Sequence, residues 1–139
     1  MSNQKKNLRI TNKEKDVLEM LWNSDTPLLA SDIPKLNPSL SISTVQLALR
    51  NLLSKNIIEV ANIVYSGTVL SRSYHPLISR EDFFIKSFKN LDKAITTQNI
   101  VATLLKHEKN EANTIKELEQ LLEERKKQLA QKDQKEKEE

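Results

Sequence analysis

One stretch of the sequence combines side chains that can read DNA bases on a single predicted helix face. Residues 41–56 carry apolar side chains at helical spacing, and the opposite side has hydroxyls, amides, one leucine and one guanidinium. Hydroxyl, amide and guanidinium groups hydrogen-bond to base edges in the major groove, and leucine can contact a thymine methyl. The candidate contacts on this face are Ser43, Thr44, Gln46, Leu47, Arg50 and Asn51.

The same residues also have simpler interpretations. A polar face is what any surface helix presents to water. Arg50 alone could pair with an acidic neighbour, and Leu47 could lie partly in the core. The flanking elements must therefore decide between these interpretations.

The 41–56 stretch has its own start and stop residues. Ser41 is a predicted N-cap, since its hydroxyl can accept hydrogen bonds from the first turn. Asn56 can take the left-handed conformation that ends a helix. The predicted buried stripe between them is Val45, Ala48, Leu49, Leu52 and Leu53.

Two helices are predicted before this one. Thr11 and Glu14 have capping-box spacing, and the first helix is expected to end near Asn23. A short extended segment at Leu28 or Leu29 precedes a second helix over residues 30–36. Because proline fits only in the first turn of a helix, Pro34 allows the regular part of this helix to begin as late as Ser31. The predicted buried face of the first helix is Val17, Leu18, Leu21 and Trp22.

A β-hairpin is predicted after the third helix. Residues 57–63 and 68–74 are β-branched and loosely alternating, with the only glycine of the chain between them. Three helices followed by a hairpin is the order of a winged helix-turn-helix, in which the hairpin, or wing, contacts DNA beside the third helix. The predicted wing contacts are Tyr65, Ser66, Gly67 and Arg72.

The remaining helices have apolar stripes that no part of the chain is left to cover. Ser79 and Asp82 predict a cap for a helix to about residue 90, followed by helices over residues 92–107 and from Ile115 onward. A homodimer would supply the missing surface. The predicted interface contains Phe84, Phe88, Leu91, Ile100, Leu104, Leu118 and Leu122.

These elements give a mainly α fold with three parts. Residues 8–77 form the predicted winged-helix domain, residues 78–130 the helical dimerisation region, and residues 131–139 a polar, disordered tail. Residues 1–80 hold ten Lys/Arg against six Asp/Glu, whereas residues 81–139 hold twelve against thirteen. This basic front half suits an anionic partner.

The sequence offers no candidate for catalysis or for a cofactor. There is no cysteine, His75 and His107 have no ligand partner at suitable spacing, and no glycine-rich loop is present to bind phosphate. The chain is therefore predicted to be a non-enzyme without a metal or an evident small-molecule ligand. It has no apolar run long enough for a membrane span and is predicted to be cytoplasmic.

The sequence resembles the penicillinase and methicillin-resistance repressors, which are dimeric winged-helix regulators of bacteria. The resemblance covers residues 10–122 and rests on three motifs: VLEMLW, S-x-S-T-V-x-x-A-L-x-N-L-x-x-K-x-x-I and Y-H-P-L-I-S-R-E-D-F. It implies operator binding through Ser43, Thr44, Gln46, Leu47 and the wing, and dimerisation through the helices after Ser79.

The chain departs from the family pattern in three places. Family members commonly have Lys or Arg where Ser43, Gln46 and the stretch at 63–65 stand, so the operator or the strength of binding is expected to differ. Thr103-Leu104 replaces the Asn-Phe bond at which sensor-controlled members are cleaved, and the cysteines of the copper-responsive branch are absent. Neither mode of induction is implied for this chain.

Two functions of different classes follow. The leading hypothesis is a homodimeric, sequence-specific transcriptional repressor on a two-fold-related operator. The alternative is a protein-interaction module that uses the winged-helix body as a scaffold, supported by the weak basicity of the third helix and wing. Operator sequence, regulated genes and inducing signal are not encoded in any motif.

Overall fold

The first helix of the described part of the chain is capped, as the Thr11–Glu14 spacing predicts. A computed structural model describes residues 9–87 and 94–138. The elements are α1 (Asn12–Trp22), β1 (Leu28–Leu29), α2 (Asp32–Leu36), α3 (Ile42–Ser54), β2 (Ile58–Ser66), β3 (Val69–Pro76), α4 (Arg80–Ser87), α5 (Thr97–Lys106) and α6 (Glu111–Glu138).

The predicted helix ends before β2 are confirmed at three positions. The Thr11 hydroxyl accepts a hydrogen bond from the Glu14 amide, and the Glu14 carboxylate accepts one from the Thr11 amide. Ser41 caps α3, and Asn56 has a φ of 59°, the left-handed conformation expected after a helix. α2 begins at Asp32, two residues later than predicted, which keeps Pro34 in its first turn.

The three strands form one antiparallel sheet in the order β1-β3-β2. Leu28 pairs with Tyr74, so the predicted short extended segment is confirmed. The hairpin is longer than predicted, because β2 and β3 pair as far as Ser66 and Val69 and leave a two-residue turn. Gly67 starts this turn with a φ of 68°, which side chains rarely tolerate.

A bulge in β2 interrupts the hairpin near its base. Val60 pairs with Tyr74 and Asn62 with Ser73, so Ala61 is an extra residue on its strand. The buried Ser73 hydroxyl accepts a hydrogen bond from the backbone N–H of Asn62 at 3.1 Å and donates one to the backbone carbonyl of Asn62 at 3.2 Å. The hydroxyl thereby fills the gap that the bulge leaves in the ladder.

The core lies between α1, α2, α3 and the base of the sheet. The predicted stripes of α1 and α3 are buried in it, except that Trp22 and Leu53 are only half-buried. The core also includes residues that the periodicity did not assign. Its buried members are Val17, Leu18, Leu21, Leu28, Ile33, Leu40, Val45, Ala48, Leu49, Leu52, Ile57, Ile58 and Phe83.

α4 packs on this core through an aromatic contact. The Phe83 ring meets the Trp22 ring edge-on with centroids 5.6 Å apart, and the Trp22 indole N–H donates to the Ile78 carbonyl. Lys15 Nζ and the Arg80 guanidinium lie 4.8 and 5.5 Å from the Trp22 ring. The chain divides into compact units at residues 1–91 and 92–139, so α4 falls in the unit of the winged-helix elements. The sequence predicted instead that α4 groups with the later helices, in a dimerisation region from residue 78 on.

The second unit consists of α5 and α6. α5 starts at Thr97 rather than near residue 92, because the Thr96 hydroxyl caps it by accepting a hydrogen bond from the backbone N–H of Asn99. α6 continues to Glu138, whereas the sequence predicted a disordered tail from residue 131. Its last two turns are rich in Lys, Glu and Gln, which have high helix propensity.

Candidate nucleic-acid interface

α3 presents one exposed stripe on the side opposite its buried stripe. Ser43, Gln46, Leu47 and Arg50 are exposed, and they follow one another at helical positions i, i+3, i+4 and i+7. We call these four residues the α3 stripe. It brings together four of the six α3 side chains that the sequence singled out.

The other two predicted α3 contacts are engaged within the fold. Thr44 is half-buried, and its hydroxyl accepts a 2.8 Å hydrogen bond from the Ser41 hydroxyl in the helix cap. The side-chain amide of Asn51 donates a hydrogen bond to the Glu14 carboxylate at 3.1 Å. Thr44 therefore belongs to the cap of α3, and Asn51 ties α3 to α1; the sequence did not predict these roles.

Glu14 joins the start of α1 to the end of α3. Its side chain is buried, and it accepts hydrogen bonds from Lys55 Nζ at 2.7 Å, from Asn51 and from the Thr11 amide. Burial raises the pKa of the Glu14 carboxyl, but these hydrogen bonds and the Lys55 charge outweigh burial and lower the pKa below its ordinary value. The carboxylate is thus ionised at neutral pH and links the two helices.

A cleft of about 660 Å³ separates α3 from the wing. Gln46 and Arg50 line it from α3, and Leu70 and Arg72 line it from β3. No residue that lines the cleft is acidic. Within the described part of the chain, the guanidinium groups of Arg50 and Arg72 form no ion pair, so both charges are available to an anionic ligand.

The predicted wing residues lie in two places. Arg72 lies on the cleft, opposite Ile63 in the hairpin register, whereas Tyr65, Ser66 and Gly67 are exposed at or beside the turn. Tyr65 is the cross-strand partner of Leu70. The end of the wing is therefore more apolar than the cleft at its base.

Sequence reasoning missed two apolar residues of this surface, Ile42 and Leu70. Both are exposed and both line the cleft. Ile42 precedes Gln46 by one helical turn, a spacing that could have placed it on the same side of α3. Leu70 had no such local signal, because its position opposite α3 depends on how the sheet packs.

The dimer residues predicted from sequence occupy helices that leave them largely uncovered. Phe84, Ile100, Leu104 and Leu122 are exposed and Leu118 is half-buried. Phe88 and Leu91 lie outside the described residues. Ile100 and Leu104 line an apolar cleft of about 460 Å³ on α5, together with Ala94, Ile95, Asn99 and Thr103.

Neither of the two histidines lies in a cluster of possible metal ligands among the described residues. His75 Nε2 contacts the Glu59 carboxylate at 2.6 Å across the wing strands, and His107 follows the last turn of α5. In residues 9–87 and 94–138, no three His, Cys, Asp or Glu side chains lie close enough to hold a metal ion. None of the helices in these ranges is long and apolar enough to span a membrane.

Residues 10–124 match a family model described as penicillinase repressor, and this range includes both clefts and most of the chain. No curated protein matches the sequence.

Proposed function

The chain belongs to the penicillinase repressor family of DNA-binding transcriptional repressors, which are not enzymes, and we propose that it binds a two-fold-related operator as a homodimer. In this proposal one α3 enters the major groove of each half-site and the wing follows the adjacent backbone. The observation that carries it is the acid-free cleft, which has Gln46 and Arg50 on one wall and Arg72 on the other. Since a repressor must reach its operator DNA inside the cell, we also propose that the protein acts in the cytoplasm.

The α3 stripe supports the assignment of α3 as the recognition helix. Arg50 can form two hydrogen bonds with guanine, and Gln46 can do the same with adenine. Ser43 can hydrogen-bond to a base or a phosphate. Thr44 and Asn51 act indirectly in this proposal, because Thr44 bonds to Ser41 in the cap of the helix that carries the stripe and Asn51 ties that helix to Glu14.

The wing supports contact with the DNA backbone. The Arg72 guanidinium has no ion pair among the described residues and lies on the same cleft as Arg50, so both charges can approach one duplex. Tyr65, Ser66 and Gly67 are exposed at the end of the hairpin, where a hydroxyl or a backbone amide can reach phosphate or sugar. This apolar wing supplies few positive charges, and we expect a shallow salt dependence of binding.

The second unit supports the homodimer. α5 and α6 contain no buried residue in one chain, although α5 has an apolar stripe as regular as that of α3. Ile100 and Leu104 on α5, with Leu118 and Leu122 on α6, form the proposed interface between two copies. Phe84 on α4 is a further member, and a symmetric pair of copies would match a two-fold-related operator.

The test is mutation of the cleft followed by DNA-binding measurements. Gln46→Ala and Arg50→Ala should each weaken binding to the preferred site by about 1–3 kcal/mol and relax its sequence preference. Arg72→Ala should weaken binding to all sequences alike and reduce the salt slope by about one ion. Sites selected from random DNA and fluorescence anisotropy at several salt concentrations would measure both effects.

Lys13→Ala is the matched control, because Lys13 is an exposed cation on α1 that does not line the cleft. Circular dichroism and sedimentation should show that every variant is a folded dimer. The proposal is contradicted if Gln46→Ala and Arg50→Ala bind with unchanged affinity and unchanged site preference. The protein-interaction alternative would then regain support.

A further inference from the structure

We infer that Leu47 reads a thymine methyl group, so that the operator half-site has an A·T pair at the middle of the α3 stripe. This inference rests on the proposed function and specifies which bases the stripe recognises. Leu47 is an apolar side chain whose exposed neighbours on the α3 stripe are polar.

The surroundings of Leu47 argue against a packing role in its own domain. Its side chain is 55% exposed, whereas Val45, Ala48, Leu49 and Leu52 fill the buried side of α3. Ser43 lies one turn before Leu47 on the exposed stripe, and Gln46 and Arg50 flank it. A single exposed leucine is common on protein surfaces, but this one stands at the centre of the proposed base-reading stripe.

The chemistry of the major groove leaves one good partner for this leucine. Thymine presents a C5 methyl there beside its O4 acceptor, whereas guanine, adenine and cytosine present hydrogen-bonding groups and no methyl. An isobutyl group placed against those polar edges would remove them from water without replacing their hydrogen bonds, which is unfavourable. Leu47 therefore favours thymine by contact and disfavours the other bases by desolvation.

Gln46 strengthens the preference for an A·T pair. Its amide can bond to N6 and N7 of adenine, and the paired thymine presents its methyl in the same groove. Because Gln46 and Leu47 are consecutive on the helix, they can contact the two bases of one pair or of neighbouring pairs. No hydrogen bond from the Gln46 side chain to any described residue competes with this contact.

The experiment removes single methyl groups from the DNA. An operator selected from random DNA by the full-length protein is synthesised with deoxyuridine in place of one thymidine at a time, which deletes only the C5 methyl. At one position in each half-site, the substitution should weaken wild-type binding about fourfold, as expected for losing contact with one methyl at about 0.8 kcal/mol. The same substitution should leave the affinity of Leu47→Ala unchanged.

Two further variants serve as controls for the loss of the methyl dependence in Leu47→Ala. Leu47→Met keeps an apolar side chain of similar volume and should retain the dependence on the methyl group. Leu77→Ala shortens another exposed leucine, outside the α3 stripe, and should respond to deoxyuridine as the wild type does. The inference is supported only if the methyl dependence disappears in Leu47→Ala and persists in both controls.

The failures of the two proposals are distinguishable. If the protein selects a specific operator but no deoxyuridine position weakens binding, or if Leu47→Ala shows the wild-type dependence, the methyl contact is wrong and the proposed function stands. Selection of half-sites without an A·T pair also overturns the inference. If random DNA yields no sequence preference, both proposals fail.

Discussion

The two compact units bury their apolar residues to very different extents. Within residues 9–87, the buried stripes of α1 and α3 join the base of the sheet in one core. Within residues 94–138, neither α5 nor α6 has a buried residue. The difference shows that an amphipathic pattern alone does not bury a helix face; a complementary surface is also needed.

α3 and α5 make the comparison direct. Both are capped by a hydroxyl residue, Ser41 or Thr96, and both carry an apolar stripe. Leu52 in α3 is fully buried, whereas Leu104 in α5 is 61% exposed. The first unit therefore derives its stability from its own core, while the second is expected to gain stability from association with another copy.

The largest effect is expected at the proposed dimer interface. Leu104→Asp places an unpaired charge in the seam and should weaken self-association by about 4 kcal/mol, roughly a thousand-fold. Sedimentation equilibrium would measure the dissociation constant. The winged-helix unit should remain folded, because Leu104 does not belong to its core.

Gln98→Asp is the matched control, since it adds the same charge at an exposed position of α5 that does not line its apolar cleft. It should leave the dissociation constant nearly unchanged. A wild-type chain that sediments as a monomer at micromolar concentration would refute the dimer.

The next effect tests the core of the first unit. Leu52→Ala creates a cavity among fully buried neighbours and should lower the free energy of unfolding by about 3 kcal/mol. Urea denaturation would measure this change. Leu121→Ala removes the same atoms from an exposed position of α6 and should change stability by less than about 0.5 kcal/mol. Equal losses in the two variants would contradict the contrast between the units.

A smaller effect, dependent on pH, is expected at Glu14. Glu14→Gln keeps the shape but removes the charge that pairs with Lys55, and should destabilise the first unit by about 2 kcal/mol at neutral pH. The pKa of Glu14 is lower in the folded state, so its ionised form stabilises the fold above the unfolded-state pKa. That contribution is lost as the pH falls through the folded-state pKa.

The destabilisation caused by Glu14→Gln should therefore shrink in acid. Urea denaturation of wild type and variant at about pH 7 and about pH 4 would measure this convergence. Glu81→Gln is a control, because Glu81 is exposed on α4 and forms no ion pair with any described residue. A difference between wild type and Glu14→Gln that stays constant with pH would exclude a stabilising charge at this position.

Much of the fold follows from interactions within a few residues, and the sequence predicts those features. The Thr11–Glu14 box and the Ser41 cap bind backbone groups three residues away, and Gly67 permits the turn between paired strands. Periodicity likewise predicted the α3 stripe, because a helix of fixed pitch determines which residues share a face. The order of these elements was sufficient to indicate a winged helix-turn-helix.

Contacts between distant residues were decided only by the tertiary structure. Glu14 was predicted as part of a cap, but its bonds to Asn51 and Lys55 depend on the packing of α1 against α3. Arg50 and Arg72 share a cleft only because the hairpin folds back beside α3. Local propensity determines each element in turn, whereas long-range packing determines which side chains meet and which apolar faces remain uncovered.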